Sequence, residues 1–289
     1  MIAIDLGSNT IRFIEFDGQL WGRSFEKIVK TAESLHDTKQ IGEKALGRII
    51  SAINEAKTKL DFASNDVRGY ATAAMRMATN SDSIIEAIAA ETGVRFTIID
   101  AEKEANLSLN AVRYRLKKLD IEPSSFVMAD IGGGSTELIV SEGETSRSIS
   151  LNIGIVTLSE RSNTPQKLSD SIESFKEQIC SQSFPHTSLV LTAGTPTTIA
   201  AYLNGMDYET YDPEKVNGFR LHLEDCYRVR NELLNMDETM RARYVGVGRE
   251  SLIIAGIMMV TAIYEALGYE EAIIIDDGLR EGIALEYFR

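Results

Sequence analysis

The sequence predicts an α/β fold with two domains, each built on a mixed sheet. Strand-like runs alternate with helical periodicity along the 289 residues, which is typical of α/β proteins. A hairpin pattern opens each half, so antiparallel strands should join parallel ones. The layout of "MIAIDLGSNTIRFIEFDG" returns about 125 positions later in "FVMADIGGGSTELIVSEG", which indicates two similarly built domains. We place them at 1–119 and 120–278, and the C-terminal helix 279–289 is a candidate further segment of the first domain.

The elements of the first domain follow from local patterns. Residues 2–6 and 11–16 are rich in β-branched and aromatic residues and are joined by a short turn, which predicts a hairpin. Residues 41–60 have the apolar spacing of an amphipathic helix. The remaining predicted elements are a strand from 67, a helix after Asn80 that Asn80-Ser81-Asp82 caps and Gly93 ends, a strand at 95–100 and a helix at 101–119.

The second domain repeats this order of elements. It opens with a strand, a glycine turn and a strand in "FVMADIGGGSTELIVSEG". Residues 189–205 predict a strand, a Gly/Thr turn and a helix, and the nearly all-apolar 252–268 predicts a buried helix. The segment 272–288 completes the chain as a strand and a helix.

Composition narrows the function and the compartment. The net charge is −13, so a nucleic-acid-binding surface is not expected. Residues 1–119 sum to +1 and 120–289 to −14, which favours the first half as the site of an anionic ligand. No apolar run is long enough for a membrane span, and no signal peptide precedes the first strand. Only two distant cysteines, Cys180 and Cys226, indicate a reducing cytoplasm.

The stretch "ADIGGGSTEL" has the chemistry of a phosphate site. Its cradle would consist of Gly132, Gly133, Gly134, Ser135 and Thr136. Successive N–H groups in a glycine turn bind anions, and hydroxyls add donors. Carboxylates beside it would repel phosphate unless a cation lay between them, and Asp130 suits Mg²⁺ or another divalent cation. A plain hairpin turn needs one or two glycines rather than three.

The first turn has the same composition in weaker form. Asp5 precedes Gly7, Ser8 and Asn9, which predicts a second metal ligand and a second phosphate-binding turn. A tight hairpin turn with a capping acid explains this stretch equally well.

Six segments in order resemble the exopolyphosphatase and guanosine pentaphosphate phosphohydrolase family (Ppx/GppA). They are "IAIDLGSNTIRF", "YATAAMRMATN", "AEKEANL", "ADIGGGSTEL", "LTAGTPTTIA" and "DDGLREGI". The resemblance implies two actin-like (ribonuclease H-like) domains with an interdomain active-site cleft. It also implies metal-assisted attack of water on the terminal phosphate of polyphosphate or guanosine pentaphosphate. Which of the two is the main substrate stays open, as does homodimer formation.

The resemblance also implies roles for individual residues. Glu104 matches the family's general base, and Arg76 matches a phosphate-binding arginine. Asp130 and Glu137 match acids linked to the metal and the attacking water. Gly194 and Thr195 match a third glycine-containing, phosphate-binding loop. By themselves, Glu104 is an acid at a helix start and Arg76 a surface arginine.

Departures from the family pattern keep other functions open. Asn106 stands where the family has Arg, and Asp100-Ala101 where it has Ser-Gly. A non-catalytic or weakly catalytic regulator that binds guanosine tetra- or pentaphosphate is therefore the alternative function. A sugar or acetate kinase ranks third, because the chain is short for those enzymes.

One basic stretch bears on chain length. Arg113, Arg115, Lys117 and Lys118 follow Glu104 on the same predicted helix. They predict a short cationic track, and with it a preference for short polyphosphates. A solvated helix end whose cations suit its C-terminus explains them as well.

Overall fold

The computed structural model describes residues 1–143, 145–161, 164–182, 184 and 188–288, with the main chain alone at Arg161. Within them the strands are β1 (Ile2–Leu6), β2 (Thr10–Phe16), β3 (Trp21–Ile28), β4 (Val67–Ala71), β5 (Phe96–Ile98), β6 (Ser125–Ile131), β7 (Thr136–Glu142), β8 (Thr145–Leu151), β9 (Ser188–Thr192), β10 (Arg220–His222) and β11 (Glu271–Ile274). The helices are α1 (Leu35–Thr38), α2 (Glu43–Lys59), α3 (Ala73–Met77), α4 (Ser81–Thr92), α5 (Ala101–Lys118), α6 (Ile155–Arg161), α7 (Pro165–Cys180), α8 (Gly194–Leu203), α9 (Pro213–Val216), α10 (Leu223–Leu234), α11 (Glu238–Val245), α12 (Ile253–Leu267) and α13 (Leu279–Tyr287).

These elements divide into two compact units. Unit 1 contains Met1–Ala111 with Gly278–Arg289, and unit 2 contains Val112–Asp277. The predicted domain bounds, 1–119 and 120–278 with 279–289 as a candidate further segment of the first domain, stay a prediction. Among the described helices, none has the length and apolar composition to cross a membrane.

The sheet of unit 1 is mixed, as predicted. Its strand order is β3-β2-β1-β4-β5. The pairs β1–β2 and β2–β3 are antiparallel, whereas β1–β4 and β4–β5 are parallel. On one face of β1 the side chains of Ile2, Ile4 and Leu6 are buried. On the other face, Ala3 and Tyr70 pack with Leu107, Ile283 and Ala284, so α5 and α13 cover it.

The sheet of unit 2 is built on the same plan. Its order is β10-β11-β9-β6-β7-β8, with β6–β7 and β7–β8 antiparallel and β6–β9 and β9–β11 parallel. One face packs Val127, Ala129 and Leu138 into a core with the apolar helix α12. The predicted burial of α12 is therefore confirmed, as are the two hairpins that open the sheets.

Three expectations about local structure need correction. The strands β3 and β8, which extend the two hairpins, were not predicted. The stretch from 67 begins as a strand, as predicted, but the short helix α3 that follows it was not predicted. Asn80 does stand before α4, yet its side chain does not cap that helix. Instead its Oδ1 accepts from the Ile41 N–H and its Nδ2 donates to the Ile41 carbonyl, both at 2.9 Å. Gly93 ends α4 with φ 68°, as predicted.

Candidate active-site residues and family

The turn between β1 and β2 presents unbonded N–H groups. It is closed by the Gly7 N–H, which donates to the Thr10 carbonyl at 3.0 Å. The carbonyls of Ser8 and Asn9 point the other way, since they accept from Ala32, Val29 and Lys30 at 2.8–2.9 Å. Within the described residues the N–H groups of Ser8 and Asn9 donate no hydrogen bond. The main chain of this turn is therefore arranged to bind an anion.

The glycine turn between β6 and β7 is closed by the same type of hydrogen bond. The Gly132 N–H donates to the Ser135 carbonyl at 3.0 Å. The carbonyls of Gly132 and Gly133 accept from the first residues of α6, at 2.8 to 3.3 Å. In the part of the chain that the structure describes, the N–H groups of Gly133, Gly134 and Ser135 donate to no acceptor. This turn thus offers more free N–H groups than the first.

A glycine that the sequence reasoning missed supports this second turn. A Cβ at Gly154 would lie 2.5–2.6 Å from main-chain atoms of Gly133 and Gly134, so only glycine fits there. Thr136, predicted to bind phosphate, is fully buried and its hydroxyl donates to the Ile153 carbonyl at 2.8 Å. Its side chain therefore holds the turn against the segment before α6. The signal in the sequence was a lone glycine between a strand and a helix.

Two predicted acids lie side by side in unit 2. Asp130 and Glu137 are direct cross-strand partners, and Glu137 is only 3% exposed. The next residues in the same row are Ser150 on β8 and Thr192 on β9. The Ser150 hydroxyl donates to Oε1 of Glu137 at 2.9 Å. Like charges directly opposite on a sheet repel, and a cation near the two carboxylates would offset that repulsion.

The residues present fit a hard divalent cation. Among the described residues, no group of three or more His, Cys, Asp or Glu side chains is arranged to hold a metal. Mg²⁺ does not require such a group, because it usually takes one or two carboxylates plus waters and substrate phosphates. Asp130 provides that donor type in unit 2, and Asp5 provides it in unit 1, where its cross-strand partner is Arg12.

Unit 1 brings Glu104 and Arg76 together. Nη1 of Arg76 lies 2.6 Å from Oε2 of Glu104 and donates to the Ile99 carbonyl at 2.9 Å. Both side chains are mostly buried, at 22% and 14% exposure. The pair joins α3 to the first turn of α5, where Asp100 accepts from the Lys103 N–H at 2.7 Å. Two residues predicted separately from distant segments are therefore partners.

The first turn of α5 is fixed to α13 by ionic contacts. Lys103 Nζ lies 3.1 Å from Oε1 of Glu286, and the Tyr70 hydroxyl donates to the other oxygen at 2.9 Å. Burial opposes ionisation of Glu286, but the bonds from Tyr70 and Lys103 outweigh it and lower its pKa. The same contact raises the pKa of Lys103. These contacts keep the backbone that carries Glu104 in place.

The third predicted loop begins α8. Ala193 precedes it with φ 73°, a left-handed conformation that L residues seldom adopt. Thr195 is 4% exposed, and its hydroxyl lies 2.4 Å from where a Cβ of Gly256 would be. The Thr195 side chain therefore packs against α12, and an anion at this helix start would meet main-chain N–H groups.

The two arginines of the predicted cationic track are bonded to other groups of unit 2. Arg113 donates to the Ser141 hydroxyl and to the Gly143 carbonyl, each at 2.8 Å. Arg115 is 12% exposed and pairs with Asp277 and Glu214. Burial opposes the charge of Arg115, yet the two acids raise its pKa overall. Only Lys117 and Lys118 of the predicted track are left at the surface, and Lys118 lies over the Tyr114 ring.

Comparison with known proteins identifies relatives of this chain. The chain is 29% identical to exopolyphosphatase 2 of Mycobacterium tuberculosis, covering 98% of this chain and 97% of that protein. It is 25% identical to a guanosine-5'-triphosphate,3'-diphosphate pyrophosphatase of Pseudoalteromonas atlantica, over 97% of this chain and 57% of that protein.

The fold is shared with solved structures. A crystal structure of the Aquifex aeolicus member of the Ppx/GppA proteins superimposes with a TM-score of 0.79 at 28% identity, covering 99% of this chain and 96% of that one. The expected actin-like α/β fold with two mixed sheets is therefore confirmed. A sequence model of the Ppx/GppA phosphatase family matches residues 24–288. The chain belongs to the Ppx/GppA phosphatase family.

Proposed function

We propose that this chain is a phosphoanhydride hydrolase that releases the terminal phosphate of inorganic polyphosphate, guanosine pentaphosphate, or both. Family membership and the names of the two relatives support the reaction class. The observation that carries the assignment of residues is the contact between Glu104 and Arg76, which joins a base to a phosphate-binding cation. A surface acid and a surface arginine would not be expected to meet at 2.6 Å with both side chains mostly buried.

Glu104 is assigned as the general base. It takes a proton from water as the water oxygen bonds to the terminal phosphorus. The bridging P–O bond then breaks, and its electron pair leaves on the oxygen of the remaining chain. A carboxylate held by a guanidinium is a weak base, because the ion pair stabilises its charged form. We therefore assign Arg76 an exchange: it turns from Glu104 to the phosphate oxygens when substrate binds, which frees the carboxylate.

The two turns are assigned to phosphate. Their unbonded N–H groups, at Ser8 and Asn9 and at Gly133, Gly134 and Ser135, supply donors that need no side chain. Asp130 in unit 2 and Asp5 in unit 1 are each assigned as a ligand for a divalent cation, which when bound would neutralise phosphate charge. Glu137, fixed by Ser150, is assigned to orienting the attacking water.

The preferred length of the substrate is inferred from the contacts that the arginines of α5 make. Because Arg113 and Arg115 are committed to contacts inside unit 2, the surface left for a long polyanion is reduced. We therefore assign a preference for short polyphosphates or a nucleotide.

Phosphate release tests the proposal. The substrates are polyphosphates of defined length and guanosine pentaphosphate, each with and without Mg²⁺. We expect Mg²⁺-dependent release that is faster from short polyphosphates than from long ones. Binding of guanosine tetra- or pentaphosphate with no release from any substrate would overturn the hydrolase and favour the regulator.

A further inference from the structure

Most described Lys and Arg side chains of unit 1 have a hydrogen-bonding or ionic partner, and those without one lie close together in the sequence. Nearly every described Lys and Arg side chain in this unit contacts a carboxylate or, for Lys57, a main-chain carbonyl. These partnered cations are Arg12, Arg23, Lys27, Arg48, Lys57, Lys59, Arg68, Arg76, Arg95, Lys103 and Arg280. Across the same described residues, the exceptions are Lys30, Lys39 and Lys44, all exposed and all within one short stretch.

The main chain of two of these lysines is hydrogen-bonded to residues in or near the predicted phosphate-binding segments. The Lys30 N–H donates to the Asn9 carbonyl at 2.9 Å, so Lys30 lies directly beside the first turn. The Lys39 carbonyl accepts from the N–H and the hydroxyl of Thr79, at 2.9 and 3.0 Å. Thr79 follows Arg76 by three residues. The stretch 29–41 therefore runs from the turn to the segment that carries Arg76.

The backbone of this stretch is held in an uncommon conformation. Lys30, Ser34 and Lys39 have φ of 48°, 60° and 57°. The left-handed region is unfavourable for a non-glycine residue, and solvated surface lysines do not require it. Two of the three strained residues are the lysines that are attached to the site. Glu33 and Asp37 lie in the same stretch, so the main-chain attachment, rather than a uniform positive patch, distinguishes Lys30 and Lys39.

We propose that Lys30 and Lys39 form a cationic subsite for the phosphates that adjoin the terminal phosphate of a polyphosphate chain. The proposal rests on the hydrolase assignment for the identity of the substrate. An ammonium without a carboxylate partner keeps its charge for a ligand. The main chain of Lys30 is bonded to Asn9 in the turn, and that of Lys39 to Thr79, three residues after Arg76. The subsite replaces the track that the sequence alone predicted on α5.

Binding without turnover tests the subsite. Polyphosphate of about 15 phosphates is titrated by calorimetry in EDTA into the wild type, the double variant Lys30→Gln/Lys39→Gln and the matched pair Lys117→Gln/Lys118→Gln. Both pairs remove two charges from exposed lysines and keep side chains of similar length. We expect the first pair to weaken binding about 5–20-fold at low salt and far less at 0.5 M salt, and the second pair about twofold at most.

The outcomes separate this subsite from the proposed reaction. Equal affinity in all three proteins, a larger loss in the Lys117/Lys118 pair, or a wild type that does not bind polyphosphate would overturn the subsite. Weaker binding in the Lys30/Lys39 pair alone supports it, even if no phosphate is released with Mg²⁺, a result that would overturn only the hydrolase. A parallel titration with guanosine pentaphosphate, with equal loss of affinity, would assign the subsite to any phosphate chain instead of the polymer.

Discussion

The two hairpin turns have the same main chain but different side chains around it. In each, a glycine N–H donates to the carbonyl three residues later at 3.0 Å. In the first turn the carbonyls of Ser8 and Asn9 accept from residues 29–32, and in the second turn the carbonyls of Gly132 and Gly133 accept from the start of α6. In each, an aspartate two residues before that glycine lies on the first strand. The main-chain plan of this turn is thus repeated in both units.

The residue opposite the aspartate separates the units. Asp5 has Arg12 as its cross-strand partner, and Arg12 in turn lies 3.4 Å from Glu26. Asp130 has Glu137 in the corresponding place. Unit 1 therefore balances the charge of its row with its own guanidinium, whereas unit 2 puts two carboxylates next to each other. A repeated backbone can thus carry different chemistry, and here unit 2 is the one whose charges favour a metal ion.

The largest expected effect tests the general base that we propose in unit 1, Glu104. Glu104→Gln keeps the shape of the side chain and its hydrogen-bonding reach but cannot take a proton. We expect turnover to fall about 10²–10⁴-fold, with unchanged circular dichroism.

The control for that variant is Glu102→Gln, two residues away on the exposed face of α5. It removes the same charge from the same helix turn and should change turnover by no more than about twofold. Equal losses in the two variants would mean that the helix start, and not a general base, was disturbed.

A smaller effect is expected from removing the hydrogen bond between Ser150 and Glu137 in unit 2. Ser150→Ala removes the donor to Glu137, so the buried carboxylate loses one of the contacts that orient it. We expect turnover to fall about 3–10-fold with little change in KM, and Ser150→Thr to restore it.

Ser148→Ala is the matched control, since it lies two residues earlier on β8 and its cross-strand partner is Ile139. If both alanine variants lose the same activity, or if Ser150→Ala changes only the melting temperature, Ser150 merely stabilises the strand.

Much of the fold could be predicted because periodicity was strong where strands are buried. The runs that became β1, β2, β6 and β7 alternate or are continuously apolar, and both turns have glycines. The missed strand β3 reads "WGRSFEKI" and is largely polar, since it lies at the edge of its sheet and pairs with β2 alone. The helix α3 has five residues, too few to show a helical period.

The candidate site was predictable as residue types but not as contacts. Three glycines between two acids favour a phosphate-binding turn over a plain hairpin. The ion-pair partner of Glu104 and the donor to Glu137 lie 28 and 13 positions away, and no local pattern connects them. Arg113 and Arg115 read as free cations for the same reason, because their partners are distant in the chain.

We propose that the two hairpins are unequal and that binding of a divalent cation depends on unit 2. The half-saturating Mg²⁺ concentration for phosphate release tests it directly in the wild type, Asp130→Asn and Asp5→Asn. Because Asp130 adds to a carboxylate pair and Asp5 faces Arg12, we expect Asp130→Asn to raise that concentration about tenfold or more and Asp5→Asn by less than about threefold. An equal rise in both variants, or a larger rise in Asp5→Asn, would contradict the account.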